Sequence, residues 1–157
     1  MALCPEVCLQ YKLKAMKSLQ TEIIINASAE KVWSILTDFD KFPQWNPFIV
    51  KIEGQPVVDA RLRVELKNGD GVSVFKPKVL VVEKNEVFEW LGSLPVPGIF
   101  NGQHYFKIET LGANQVKFVH GENFSGLFAG LIMKQIGEQT RQGFIGMNKA
   151  LKERAEA

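Results

Sequence analysis

The sequence predicts an α+β domain in which an antiparallel β-meander is closed by one long C-terminal helix. Three observations predict it. A β-branched run is followed at once by a capped helix near the N-terminus. Short alternating segments then succeed one another across turn residues, with no βαβ unit. Finally, apolar residues recur at helical spacing through the C-terminal stretch.

Thr21 to Asn26 is the β-branched run and reads as the first strand. Ser28 offers its hydroxyl to the free N–H groups of a helix starting at Ala29 and ending near Asp38, with Glu30 favourably placed in the first turn. Val32, Trp33, Leu36 and Phe39 give that helix an apolar face, and Trp33 reads as packing. Phe42-Pro43 breaks the pattern, and Trp45-Asn46-Pro47 turns the chain into the meander.

In the meander, Phe48, Val50 and Ile52 alternate with Ile49, Lys51 and Glu53. Leu62, Val64 and Leu66 alternate with Arg61, Arg63, Glu65 and Lys67, so one face is wet and the other buried. Asn68-Gly69-Asp70-Gly71 is a hairpin turn into a strand from Val72 to Lys84, in which Pro77 implies an edge position or a bulge. Lys84-Asn85-Glu86 turns into Val87 to Leu91. The loop from Leu94 to Phe100 is apolar and stiffened by Pro95 and Pro97, so something is expected to pack against it. It reads either as a lid on the long helix or as a gate at a cavity mouth.

Two further strands, Gly102 to Leu111 and Gln115 to Phe124, flank the turn Gly112-Ala113-Asn114. The C-terminal helix runs from Gly126 to Arg154, with Phe128, Ile132, Ile136, Thr140, Phe144, Met147 and Leu151 along one stripe that should lie across the sheet. Gly130, Gly137, Gly143 and Gly146 each lower helix stability by about 1 kcal/mol relative to Ala when exposed. They imply either close packing or volume left open for a ligand.

Composition limits the functional classes. A chain of 157 residues with 46% hydrophobic content can bury one sizeable core and leaves no room for a second domain. A net charge of +2 with scattered basic residues gives no electrostatic footprint for nucleic acid. No apolar run approaches the ~20 residues of a membrane span, so a soluble protein without stable membrane insertion is expected. Cys4 and Cys8 form a lone CxxxC with no second pair and no nearby histidine, so they read as two free thiols and no metal is expected. Residues 1–19 are expected to be an N-terminal extension, disordered or not native, preceding a single domain over 20–157. They lack a secretory signature, which makes a cytoplasmic location the expectation.

Several stretches in order resemble the polyketide cyclase/dehydrase and lipid-transport family, part of the wider helix-grip group that includes START domains and the birch-pollen allergen. They are SAEKVWSILTDFDKFPQWNPF, FEWLG at Phe88 to Gly92, VPGIFNGQHYFKIETL at Val96 to Leu111, and FVHGENFSG at Phe118 to Gly126. The resemblance runs from about Met16 to Arg154. It therefore makes Met16 a candidate initiator, with a basic amphipathic anchor as the rival reading of the preceding residues. It implies a seven-stranded antiparallel sheet gripping the C-terminal helix, two short helices after the first strand, and a cavity for a small hydrophobic molecule. The family holds carriers, sensors and enzymes, so the resemblance implies no reaction.

Strand periodicity supplies the polar candidates. If Phe106 and Ile108 face inward, so does His104, and Phe118 carries His120, Glu122 and Phe124 to the same face. His104, His120 and Glu122 are thus the candidates either for orienting a ligand or for acid–base catalysis, with a satisfied internal hydrogen-bond network as the plain alternative. The ligand-binding candidates are Trp45, Phe48, Phe75, Trp90, Phe100, His104, Phe106, Phe118, His120, Glu122, Ile136 and Thr140. The expected partner is a small hydrophobic molecule, lipid or polyketide-like, bound without a cofactor by a monomer or homodimer. The alternatives are a cyclase, dehydratase or isomerase acting on such a ligand, and a chaperone-associated interaction protein with a filled interior.

Overall fold

The computed structural model describes residues 17–157, so Cys4, Cys8 and the candidate anchor lie outside the described residues. Element by element, the chain runs β1 (Lys17–Ile25), α1 (Ala29–Thr37), a 3₁₀ turn (Phe39–Lys41), α2 (Phe42–Trp45), β2 (Ile49–Glu53), β3 (Arg63–Asn68), β4 (Gly71–Phe75), β5 (Lys78–Glu83), β6 (Val87–Ser93), β7 (Asn101–Gly112), β8 (Gln115–Ser125) and α3 (Ala129–Glu156). The fold is α+β and of the helix-grip type, with all strands antiparallel.

Among the described residues eight strands stand where seven were expected, and Pro77 is the reason. The predicted strand from Val72 to Lys84 breaks at Lys76-Pro77, where the missing N–H interrupts the ladder. Its first half, β4, pairs with β3, and its second half, β5, pairs with β6. The order is therefore β1-β8-β7-β6-β5 in one sheet and β2-β3-β4 in the other. The two sheets are stitched together beside the break. Leu62 N–H donates to the Pro77 carbonyl at 2.9 Å, and Val79 N–H donates to that of Ala60 at 2.9 Å.

Local chemistry fixes the other elements much as the sequence implied. Ser28 Oγ accepts from Lys31 N–H at 3.2 Å and caps α1, whose Val32, Trp33 and Leu36 are buried. Pro43 lies in the first turn of α2, where its lack of an N–H costs no helical bond. In β2 the simple alternation fails. A register shift between Ile49 and Lys51 turns Ile49 inward, and it is wholly buried rather than on the wet face.

The C-terminal helix begins at Ala129 rather than Gly126, because Gly126 adopts φ +113° and Phe128 is non-helical. Its second half packs on β1, β8 and α1 and buries Phe144, Met147, Asn148, Leu151 and Ala155. Its first half behaves differently from the stripe expected. Phe128 and Ile136 are 44% and 38% exposed, and apart from Ala129 the buried side chains of the helix all lie in its second half.

The proline-rich loop is likewise more exposed than expected, with Leu94 at 41% and Val96 at 60%. It is held through its backbone instead of its side chains. Leu127 N–H donates to the Gly98 carbonyl at 2.9 Å and Phe128 N–H to that of Ile99 at 3.1 Å. The loop thereby satisfies N–H groups just ahead of the helix, and Phe100 stacks on Phe124 with centroids 5.7 Å apart.

Candidate functional site

β7 and β8 bring the two histidines together. Their register sets His104 opposite Glu122 and Phe106 opposite His120, and the shared inward parity buries both imidazoles, at 3% and 0% exposure. Their Nε2 atoms are 2.8 Å apart, so one proton lies between them. His120 Nδ1 lies 3.0 Å from Asn148 Oδ1 on α3, and Asn148 Nδ2 donates to Thr21 Oγ1 at 2.9 Å. The Thr21 hydroxyl in turn donates to the His120 carbonyl at 3.2 Å.

This chain has one internally consistent direction. Because the Thr21 hydroxyl spends its proton on the His120 carbonyl, it must accept from the Asn148 amide, which turns Asn148 Oδ1 toward His120. His120 therefore carries its proton on Nδ1. Burial, and then the neighbouring His104, push the His120 pKa well below the usual imidazole value, while its hydrogen bond to Asn148 opposes the shift. A neutral His120 accepts on Nε2, so His104 donates from its own Nε2 and presents Nδ1 to the pocket side. There Nδ1 meets Glu122 Oε2 at 3.4 Å, long for a charge-assisted bond.

Aromatic faces hold the rings in place. His120 stacks on Phe144 with centroids 3.9 Å apart and planes 16° apart, and His104 stacks on Trp90 at 4.8 Å and 20°. Gly102 opens the space for Glu122, since a β-carbon there would overlap the carboxylate.

Beside this pair lies a cavity of about 140 Å³, between the β3–β4 hairpin, the ends of β6, β7 and β8, and the first half of α3. Of the residues expected to line it, Phe48, Phe75, Trp90 and Phe100 supply aromatic wall, His104 and Glu122 the polar wall, and Ile136 and Thr140 the helix side. The interior is thus not filled, contrary to what an interaction protein with a solid core would show.

Four expected lining residues stand elsewhere. Phe106 and Phe118 are core residues, stacked on each other at 6.0 Å, and His120 sits behind His104. Trp45 packs on Phe42 at 5.1 Å, and its buried Nε1 has no hydrogen-bond partner among the described residues. Sequence reasoning missed Leu66, Leu94 and Gln139 in the wall, and Thr21 and Asn148 in the network. Asn148 did carry a signal, as a polar residue inside the buried stripe of Phe144, Met147 and Leu151. Among the described residues no group of three His, Cys, Asp or Glu is placed to hold a metal, and no helix is long and apolar enough to cross a membrane.

Known structures share this architecture. A Streptomyces aromatase/cyclase superposes with a TM-score of 0.74 at 15% identity, covering 90% of this chain and 94% of its own. A START superfamily protein from Mycobacterium smegmatis gives 0.67 at 23% identity, with 88% and 97% covered. Norcoclaurine synthase from Thalictrum flavum gives 0.68 at 15% identity, with 88% and 92% covered. At such identities the likeness is one of fold. No curated protein matches the chain in sequence. Residues 16–156, however, match the family described as polyketide cyclase/dehydrase and lipid transport, and they carry every element of the site. The chain belongs to the polyketide cyclase/dehydrase and lipid-transport family.

Proposed function

We propose that the protein binds a small hydrophobic molecule, lipid or polyketide-like, in the cavity between its sheet and its C-terminal helix. The observation that carries this reading is the make-up of the cavity wall: aromatic and aliphatic surface from residues such as Phe48, Leu66, Trp90 and Phe100, with the ionisable pair His104 and Glu122 set into it beside neutral polar groups such as Gln139 and Thr140. Size narrows the reading further. A volume of about 140 Å³ compares with the ~150 Å³ of an engineered cavity that holds one benzene. The enclosed portion therefore accommodates a single ring or the end of a chain, and a larger ligand would emerge past Phe75, Leu94 and Ile136.

Burying a ring of ~150 Å² at ~25 cal/mol per Å² contributes about 4 kcal/mol before the cost of association. Ring burial alone gives weak binding, and tighter binding requires the polar pair or contacts at the mouth. The test is a ¹⁹F NMR titration with fluorobenzene. Saturable line broadening that disappears in Thr140→Phe, which fills the cavity from the helix side, supports the reading. Absence of saturation, or identical behaviour in a folded Thr140→Phe variant, overturns it.

One observation favours a second reading. His104 Nδ1 and Glu122 face the same cavity, as an acid–base pair would in a cyclase, dehydratase or isomerase. In that case His104→Ala would abolish turnover of a hydrophobic carbonyl compound while leaving its affinity nearly intact. A pure carrier would show no turnover to lose.

A further inference from the structure

Five exposed apolar side chains meet outside the cavity, at one end of the molecule. The proline-rich loop carries Leu94 and Val96, and the start of α3 carries Leu127, Phe128 and Leu131, with exposures of 41, 60, 79, 44 and 59% in that order. The two segments are neighbours in space, because the Leu127 and Phe128 N–H groups donate to the Gly98 and Ile99 carbonyls. Hydrophobic surface gathered in one place on a folded chain marks a contact with something else.

Local chemistry holds these side chains outward. Val96-Pro97-Gly98-Ile99 is a tight turn, closed by Ile99 N–H on the Val96 carbonyl at 3.5 Å, with Gly98 at φ +78° and Pro97 fixing the corner before it. Main-chain bonds tie that turn to α3, so Val96 is presented to solvent instead of being spent on holding the loop down. Leu131 follows Leu127 by four residues and Lys134 follows by three more, which sets an exposed cation one turn behind the two leucines on the same helix face.

Charge selects among the partners. The chain holds 17 Asp and Glu residues, yet neither Trp90 to Lys107 nor Asn123 to Gly137 contains one. The first carboxylate along the helix is Glu138, a turn further back, where it accepts from Gln142. A protein partner would need roughly one hydrogen bond per 100–200 Å² of contact, whereas the side chains at this tip are hydrocarbon. Apolar groups in front of a long cationic side chain suit a lipid interface, since Lys134 can lay its stem against hydrocarbon and keep its ammonium among headgroup phosphates. We propose that Val96, Leu127, Phe128 and Leu131 form a docking tip for an anionic lipid bilayer, entering its headgroup region reversibly with Lys134 at the phosphate level. The proposal stands on the chemistry of the tip and does not depend on what the cavity binds.

Flotation of the full chain with phosphatidylcholine vesicles, with and without phosphatidylglycerol, tests this. The wild-type protein should float with the anionic vesicles and partition about fivefold more weakly onto the neutral ones, a preference that Lys134→Gln should remove. The double variant Val96→Asp/Leu127→Asp should lose about tenfold or more in partitioning, as expected when two apolar side chains no longer leave water. Neither residue lines the cavity, so fluorobenzene binding should survive in that variant, which keeps this result apart from a failure of the ligand-binding reading. Val57 is 59% exposed on the loop between β2 and β3, and Val57→Asp should float as the wild type does. Absence of wild-type flotation overturns the inference, as does equal loss in Val57→Asp or unchanged flotation of the double variant. A wild-type dimer that does not float and that the double variant abolishes, seen by sedimentation equilibrium, also overturns it and puts a second copy of the chain on the tip.

Discussion

Gly102 lies beneath the carboxylate of Glu122, in the space a side-chain methyl would need. The two residues sit on adjacent strands two pairs apart, since Gly102 is opposite Phe124 and Glu122 is opposite His104. Gly102→Ala should therefore act on the site more than on the fold. The group it displaces is the far end of a flexible chain, so the change in unfolding free energy should stay within about 1 kcal/mol. The carboxylate should move off His104 Nδ1, and ¹⁵N chemical shifts of the His104 ring report that directly. Unchanged ring shifts in a folded Gly102→Ala protein would contradict the contact.

The glycines of the long helix separate into two kinds. Gly143 faces Phe48, and a β-carbon there would run into the ring, which is itself packed edge-on against Phe144 at 5.6 Å. Gly130 has nothing within 4 Å of the same position. Replacing glycine by alanine in a helix normally stabilises by up to about 1 kcal/mol. Gly130→Ala should show part of that gain, whereas Gly143→Ala should destabilise by about 1 to 3 kcal/mol because the ring cannot move without disturbing the cavity wall. Urea unfolding of both variants measures the contrast, and a stabilised Gly143→Ala would show that Phe48 has room to yield.

What the sequence made legible is the part governed by short periods. The two-residue alternation put His104 and His120 on one inner face, and Ser28 marked the start of α1. That same period cannot say which stretch of the inner face meets a cavity. Phe106, Phe118 and His120 lie further along β7 and β8, where α1 and the second half of α3 fill the interior. His104 and Glu122 lie nearer the open end. The helical stripe had a similar blind spot, because amphipathicity does not reveal how much of a helix face is packed, and Phe128 and Ile136 stay partly exposed. Thr21 and Asn148 went unread because their bond joins residues 127 positions apart, which no local pattern encodes.

Because the His120 pKa is depressed in the fold, stability should fall on acidification. Below the unfolded imidazole value of about 6.5 the unfolded chain takes up a proton that the buried ring refuses. The unfolded state then binds more protons, so the unfolding free energy rises with pH in this window. The contribution is fully present above about 6.5 and is lost as pH falls toward the folded value. The limiting slope is about 1.4 kcal/mol per pH unit for one proton. His120→Gln should be less stable at neutral pH, having broken the relay, but should lack this slope. Denaturant curves between pH 5 and 7.5 distinguish the two proteins. Parallel profiles would mean that His120 takes up its proton as readily in the fold as in the unfolded chain.

Gly126 joins the exposed loop to the helix, and its substitution should loosen the cavity mouth without touching the floor. Its φ of +113° suits glycine, and a β-carbon there would stand 2.5 Å from the Ile99 carbonyl oxygen, a backbone atom with little freedom to retreat. Gly126→Ala should cost about 1 to 3 kcal/mol through strain. The loss should be local, because the bonds it disturbs are those from Leu127 to Gly98 and from Phe128 to Ile99, which hold the proline-rich loop. Hydrogen exchange should speed up at the Leu127 and Phe128 amides while those of Phe106 and Phe118, deep in β7 and β8, keep their protection. Since Leu94 and Phe100 line the cavity from this loop, ring-sized ligands should also leave the variant faster. Uniform acceleration at all four amides would instead mean that the mouth and the core open as one unit.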